Sequence, residues 1–245
     1  MLIVLWAVLS LGIGAVLNHL ADRLPRHQSL WPGPACAACG APYAPRQWSA
    51  LVAWLAGARR CKCGVALPLR RLLLELGVAL LYAALAWQRG LSWELGAASF
   101  HAAVLALVAA TDLETRIVPN AVVLPAAGVA IALAALRGLA SMPGVLLGGG
   151  VALGLFLAAW LLHPKGMGFG DVKLAGYVGL AVGYPRVMTA LLITALAGGV
   201  VAAALLLARR VGRRTYIPYA PFLALGGADE LTVRATGAAT FVYAV

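Results

Sequence analysis

Charge is what this chain has least of. Of its 245 residues only 11% are charged, and Asp and Glu together number eight. A soluble domain usually carries ~25% charged and ~45–50% apolar residues, whereas 63% of this chain is apolar. The shortage excludes a soluble globular enzyme and a disordered chain. Four cysteines are too few to make a disulfide scaffold of this length. The short alternating segments of a transmembrane β-barrel are missing too, as are long repeats and low-complexity tracts. No Lys or Arg precedes Arg23, so the first apolar stretch lacks the basic start of a secretory leader and reads as a retained span.

What is there is long apolar runs, with a mean hydropathy of +0.92. They predict an all-α integral membrane protein, a polytopic bundle of about seven to eight transmembrane helices at ~20 residues each. The expected spans are 2–20, 72–87, 95–111, 120–136, 144–162, 172–184 and 187–208, with a weak eighth starting near Pro221. The run from Val172 is short and reads as broken or re-entrant. Four regions follow: a first helix at 1–20, a soluble module at 21–71, a membrane core at 72–227 and an atypical tail at 228–245. The tail holds Asp229 and Glu230 where a final apolar helix is expected. Within the module, Leu51–Ala56 is too brief to span and is expected to pack there or lie at the interface. Pairs such as Gly150/Gly154 and Gly179/Gly183 read as close helix packing.

The formal net charge of +11 invites a nucleic-acid reading until the charges are placed. Numbered alternately from an outside N-terminus, the loops at 21–71, 112–119, 163–173 and 209–218 carry 8, 1, 2 and 4 Lys+Arg, or 15 of the 19. The opposite loops hold Arg89, Arg137 and Arg186. Positive charge collects on the cytoplasmic side. The basic excess therefore reads as topology and contact with membrane lipid, with no nucleic acid as partner.

A carboxylate at bilayer depth costs ~2.5–3.5 kcal/mol, so each one asks for a reason. Asp112 ends one apolar run and Asp171 begins another after Lys-Gly-Met-Gly-Phe-Gly. On the alternating topology both lie on the cytoplasmic face. If they meet, repulsion in a poor dielectric leaves one protonated and one ionised. Such a pair can polarise a carbonyl and activate water for peptide hydrolysis. Gly166, Gly168 and Gly170 leave room for a substrate strand, and Pro119 breaks helix so that the loop presents its side chains. The alternative is that each Asp caps a helix, with Asp171 as N-cap of a segment from Val172. Spacing alone leaves cap and catalyst open.

Thr111-Asp112-Leu-Glu114-Thr-Arg-Ile-Val-Pro119-Asn120 and Gly168-Phe-Gly170-Asp171-Val-Lys173-Leu resemble the two aspartate motifs of the type IV prepilin peptidases. Gly14-Ala-Val-Leu-Asn18 with Arg23-Leu-Pro25, Glu75 after a basic pair, and Ile217-Pro-Tyr-Ala-Pro221-Phe-Leu-Ala-Leu-Gly226 extend the likeness over about residues 10–227. The resemblance implies a membrane aspartic peptidase with a Gly-x-Gly-Asp signature and with Asp112 and Asp171 as catalytic carboxylates. It places Glu114, Pro119, Gly168, Gly170 and Lys173 in the site-shaping or substrate-binding surroundings, Glu114 being an acid near the site but not the catalytic one. Glu114 and Asp22 are the candidates to meet a basic leader. The implied substrates are prepilins or pseudopilins, cut at the cytoplasmic face of the bacterial inner membrane. The implied second activity is N-methylation of the new N-terminus with S-adenosylmethionine. The oligomeric state is not legible.

The cysteines read Cys36-x-x-Cys39-Gly40 and Cys61-x-Cys63-Gly64. In a cytoplasmic loop two close pairs suit tetrahedral thiolate binding of structural zinc, the alternative being four idle thiols. The resembling family has two Cys-x-x-Cys pairs, and here the second is one residue short. His19, His27, His101 and His163 share no ligand spacing and read as structural, and Met142 and Met167 need no special role. Two rivals remain at this stage. One is a Gly-x-Gly-Asp protease acting on other membrane substrates. The other is a non-enzymatic carrier or assembly protein, which should hold its carboxylates near mid-membrane and not at span ends.

Overall fold

The computed structural model describes residues 2–164, 167–208 and 219–232. The basic loop 209–218, Gly166 and most of the tail therefore lie outside the described residues. Among those described the protein is helical: α1 Leu2–Arg23, α2 Ala50–Leu55, α3 Leu69–Arg89, α4 Trp93–Thr115, α5 Asn120–Arg137, α6 Met142–Leu162, α7 Phe169–Val182, α8 Arg186–Leu207 and α9 Ala220–Thr232. Two isolated antiparallel bridges, Ala35 with Pro42 and Arg60 with Ala66, are the extended pairings seen.

Among the described residues five segments are long and apolar enough to cross a membrane: Leu2–Arg26, Trp93–Thr115, Asn120–Arg137, Leu139–Leu162 and Arg186–Leu207. The larger expected count meets plain physical limits. Helix α3 carries Arg70, Arg71 and Glu75 in its first two turns. Helix α7, at 14 residues, spans only ~21 Å at 1.5 Å per residue, and α9 has 13. Helix α7 begins at Phe169, three residues before the expected start, and α9 continues without a break past Gly227 to Thr232.

Helix α4 is the axis of the bundle. Of its most apolar window 72% is buried, against 17% for α6 and α8. Its composition explains the position: Ala97, Ala98, Ala102 and Ala110 let neighbours approach from several sides, where bulky residues would hold them off. Ser92 caps its start by accepting a hydrogen bond from the Leu95 N–H at 3.2 Å. Helices α1 and α3 pack against one flank of α4 and α9 against another, with α5 in lighter contact; α7 packs on α5, α6 and α9, and α8 packs on α9.

The seam between α6 and α7 depends on glycine. A Cβ at Gly148 would stand 2.8 Å from the Gly183 Cα, and one at Gly179 would stand 2.9 Å from the Gly149 Cα. The reading of Gly179/Gly183 as a packing pair is thereby met. Gly150 and Gly154, paired with them by spacing, face open space. Their neighbours one and two residues earlier make the contact instead.

Candidate active site and candidate metal centre

Asp112 sits in the last turn of α4, fully buried. Four residues on, Arg116 turns the chain in the left-handed region at φ 56, and its N–H donates to the Asp112 carbonyl at 2.9 Å. Ile117, Val118 and Pro119 then lead into α5, with Pro119 as the residue before its first turn. Asp171 lies in the first turn of α7 and is also buried. Both carboxyls line one cavity of about 330 Å³, with Arg116, Asn120, Gly168 and Lys173 in its wall.

Each carboxylate is held by the backbone. Asp112 Oδ2 accepts from the Ala220 N–H at 3.2 Å, one of the free amides that open α9. Asp171 Oδ2 accepts from the Gly168 N–H at 3.3 Å. Asp171 is therefore not the N-cap that spacing suggested. Gly168 is the residue before α7, and Asp171 reaches back to it from the third helical position, as acids at that position often do. Capping and catalysis are compatible here, because one oxygen makes the capping bond and the residue still lines the cavity.

Gly170 has a different role from the one its sequence context suggested. A Cβ there would stand 2.9 Å from the Val118 Cβ and 3.1 Å from its Cγ2. Its missing side chain lets the start of α7 lie against the loop after α4, which is what brings the two aspartates to one cavity. Lys173 donates to Asn120 Oδ1 at 3.0 Å and lies over the Phe169 ring, 5.0 Å from its centre. It ties α7 to α5 across the cavity wall.

Glu114 stands apart from that wall. With Asp22 it is engaged by one guanidinium: Arg70 pairs with Asp22 and, at 2.7 Å, with Glu114. The two acids named for leader contact are thus bridged across α1, α3 and α4. Both remain partly exposed.

Three contributors were not singled out as site residues by sequence. Val118 is the surface against which α7 starts, and Arg70 joins the two acids. Ala220 supplies the N–H to Asp112. The signal for Ala220 was there, since it lies inside the Pro-Tyr-Ala-Pro segment. Val118 before Pro119 and Arg70 in the basic pair before Glu75 also lay inside quoted segments, but what each does depends on a partner distant in sequence.

Buried Glu75 joins the bundle to the soluble module. Oε1 accepts from the Ala50 N–H at 2.7 Å and from Asn18 Nδ2 at 3.1 Å. Oε2 accepts from Ser49 Oγ at 2.7 Å and the Leu51 N–H at 2.9 Å. One carboxylate on α3 thereby caps α2 and fastens α1. Gly14 makes room for it, since a Cβ there would meet the Glu75 Cγ at 2.9 Å. Helix α2 buries Ala50 and Ala53 and exposes Leu55, so the short apolar stretch packs by one face.

The four cysteines converge. All four sulfurs lie within 4.8 Å of one another, with Cys36 to Cys63 at 3.8 Å and Cys39 to Cys61 at 3.7 Å. A regular tetrahedron of thiolates about an ion at ~2.3 Å has edges of about 3.8 Å, so the spacing fits a tetrahedral metal. Each pair sits on a tight turn. Gly40 at φ 71 donates to the Cys36 carbonyl and Gly64 at φ 87 to the Cys61 carbonyl, both at 2.9 Å. The shortened second pair completes the set because the Gly64 turn closes as tightly as the Gly40 turn. Backbone N–H groups of Cys39 and Ala38 pull the Cys36 thiol down to about 6. For Cys39 a backbone bond at Ala41 pulls downward, but Cys63, burial and the other thiols outweigh it and push the group up to about 12. Thiols that crowd each other in this way gain most from a shared cation.

The histidines do not gather. His101 is hydrogen-bonded to the Tyr177 hydroxyl at 2.8 Å within the bundle, and His19 Nε2 lies 3.0 Å from the Leu30 carbonyl oxygen.

The chain has counterparts among known proteins. Residues 99–203 match the Type IV leader peptidase family, and residues 8–89 match the Bacterial Peptidase A24 N-terminal domain. The chain is 30% identical over 223 residues to a prepilin leader peptidase/N-methyltransferase of Bacillus subtilis, with 89% of each chain covered. It is 28% identical over 250 residues to the protein of that name from Pseudomonas aeruginosa, covering 90% of this chain and 86% of that one. The match to the Myxococcus xanthus protein of the same name is 32% over 216 residues, covering 85% and 64%. No solved structure matches. Both halves of the chain find their counterparts in order and the Bacillus subtilis protein is covered over 89% of its length, so the chain belongs to the type IV leader peptidase family, the prepilin peptidases.

Proposed function

We propose that this peptidase removes the leader of type IV prepilins or pseudopilins by water attack between Asp112 and Asp171. The observation that carries the reading is the shared cavity, where two buried carboxyls from helices distant in sequence meet at helix ends. In the reaction, the ionised carboxylate takes a proton from water while the protonated one donates to the scissile carbonyl oxygen. The tetrahedral intermediate collapses as a proton passes to the leaving nitrogen. A positioned acid–base pair of this kind contributes ~10²–10⁴-fold to the rate. The backbone bonds from Ala220 and Gly168 hold the carboxylates in place without using a second charge.

The site opens to the cytoplasm of a bacterial inner membrane and the N-terminus lies outside, on the strength of the loop charge bias. A carrier is disfavoured, because both acids lie at helix ends and not at mid-membrane. Zn²⁺ is the ion that suits Cys36, Cys39, Cys61 and Cys63, and it supplies a structural cross-link between the two turns. N-methylation is a second activity, supported by the relatives' names. S-adenosylmethionine supplies a transferable methyl group when bound. In the cavity of about 210 Å³ beside Cys36, lined by His19, Asp22, Arg23, Arg26 and Gln28, Arg26 is the guanidinium that would meet its carboxylate, because Asp22 pairs with Arg70 and Arg23 donates to the Ser29 and Gly33 carbonyls.

The test is co-expression of a prepilin with wild type and with Asp112→Asn and Asp171→Asn. Each variant should lose cleavage by at least about 10³-fold while still inserting in the membrane, as read by mass spectrometry of the pilin N-terminus. Near-normal cleavage by either variant overturns the assignment.

A further inference from the structure

The three arginines of the sparsely charged loops come together. Arg89 ends α3, Arg137 ends α5 and Arg186 begins α8, and all three line one cavity with Glu94, Glu230 and His101. This cavity lies at the far end of the bundle from the aspartates. Along α4, Glu94 and Asp112 are 18 residues apart, or ~27 Å of helix, close to the ~30 Å of a bilayer's hydrocarbon.

The charges here do not cancel in pairs. None of the three guanidiniums stands at ion-pair distance from Glu94 or Glu230. Arg89 instead donates from Nε and Nη2 to the Leu231 carbonyl at 3.2 and 2.5 Å, and Arg137 lies 4.6 Å from the centre of the Trp93 ring. An arginine has five N–H donors, so most of those in this cavity remain for something else. Three guanidiniums against two carboxylates leave the cavity net positive. Its volume of about 60 Å³ holds roughly four water-sized groups, the count of oxygens on a phosphate. Around this end Trp87, Trp93 and Tyr184 are exposed, and exposed aromatic rings at helix ends sit at the level of lipid headgroups.

We propose that this cavity binds the phosphate of an anionic phospholipid headgroup, with Arg89, Arg137 and Arg186 as its donors. Planar forked donors suit phosphate oxygens. The three arginines come from three separate helix ends, so one bound headgroup staples α3, α5 and α8 at the face opposite the aspartates. Glu94, exposed beside the cavity, can accept from a headgroup hydroxyl. The inference rests on this cavity alone and stands whether or not the peptidase reading does.

The experiment is thermal unfolding of the purified protein in detergent, with phosphatidylglycerol, phosphatidylcholine or inorganic phosphate added. Binding to the folded state alone raises Tm. Phosphatidylglycerol should raise it by roughly 3–8 °C, and the other two by less than a third of that. Arg137→Gln and Arg186→Gln should each cut the rise at least threefold while the unfolding transition without lipid stays cooperative, which reports a folded bundle. Arg186→Lys should retain part of the rise. Arg59→Gln with Lys62→Gln, in the cysteine module, should leave it unchanged and so excludes general attraction to basic surface. Equal rises in wild type and both glutamine variants overturn the site. Equal rises with phosphatidylcholine or with inorganic phosphate overturn its assignment to an anionic lipid.

Discussion

The aspartate cavity and the cysteine module are built on opposite principles. The cavity takes its residues from α4, the loop after it, α5 and α7, with one N–H from the start of α9 on Asp112, brought together because small side chains let helices close on each other. The module takes its four sulfurs from two local turns, and it has almost no apolar core of its own beyond Ala50, Ala53 and Leu67. One region is held by packing, and the other needs an ion to replace the packing it lacks. Glu75 is the single carboxylate that joins them, bonded at once to α1 and α2. The difference teaches that damage to one region spreads to the other only through the contacts between them, of which Glu75 is the most densely bonded and Arg71, His19 and Arg23 supply others.

The largest expected effect falls on the module. Structural zinc in small domains carries about 10–16 kcal/mol of apparent binding energy, far more than so small a core supplies. Stripping metal with a chelator, or changing Cys61→Ser, should open residues 30–66 to protease while the bundle's helical signal persists. Elemental analysis of untreated protein should find about one zinc per chain. A metal-free protein with a protease-resistant module would end the contrast between the two regions.

Breaking the link comes next. Glu75→Ala leaves the amides of Ala50 and Leu51 and the Asn18 side chain without their acceptor, and a lost charged acceptor of this kind costs about 2–4 kcal/mol. Thermal melts should fall, and the module should loosen even with metal bound. Glu75→Gln, which keeps the shape but not the charge, should fall about half as far.

A smaller effect is expected inside the cavity. Gly170→Ala pushes against Val118 and displaces Asp171 relative to Asp112. Misplacement by a fraction of an ångström should slow cleavage by ~10-fold with little change in stability. Pairing it with Val118→Ala should restore most of the rate. That rescue separates a steric role from a loss of backbone freedom.

The smallest effect belongs to Glu114. Its pairing with Arg70 is partly exposed, and such pairs contribute about 0–1 kcal/mol. Glu114→Gln should leave cleavage of a preferred substrate within about threefold of wild type. A loss comparable to that of the aspartate variants would bring Glu114 into the chemistry and redraw the site.

Much of this was legible along the chain because a membrane makes sequence speak plainly. Apolar runs, a helical fold, the soluble segment between α1 and α3, and the isolation of Asp112 and Asp171 follow from the cost of charge in hydrocarbon. That cost acts on each residue wherever its neighbours fall. The cysteine set was also readable, since thiols close in sequence need only a tight turn to meet. Helix ends were less so: the helix after the glycines was expected to start at Val172, with capping by Asp171 as the alternative to catalysis, and the chain begins that helix at Phe169. Gly150 and Gly154 were expected to pack closely against a neighbouring helix, and Gly148 and Gly149 make that contact instead. A one-residue shift turns a helix by 100° and moves a side chain to another face, and hydropathy hardly changes over that distance.

The sequence by itself determined that this chain is helical, is drawn to a membrane and carries two acids that demand a reason. Only the tertiary structure decided that these acids share one cavity, that Gly170 is there for Val118, that Arg70 holds Asp22 and Glu114, and that Arg89, Arg137 and Arg186 converge. The physical reason is range. Burial and helix formation act on a residue and its near neighbours, whereas a site is a set of close approaches between helices. Which helices approach is settled by the shapes of whole faces packed at once.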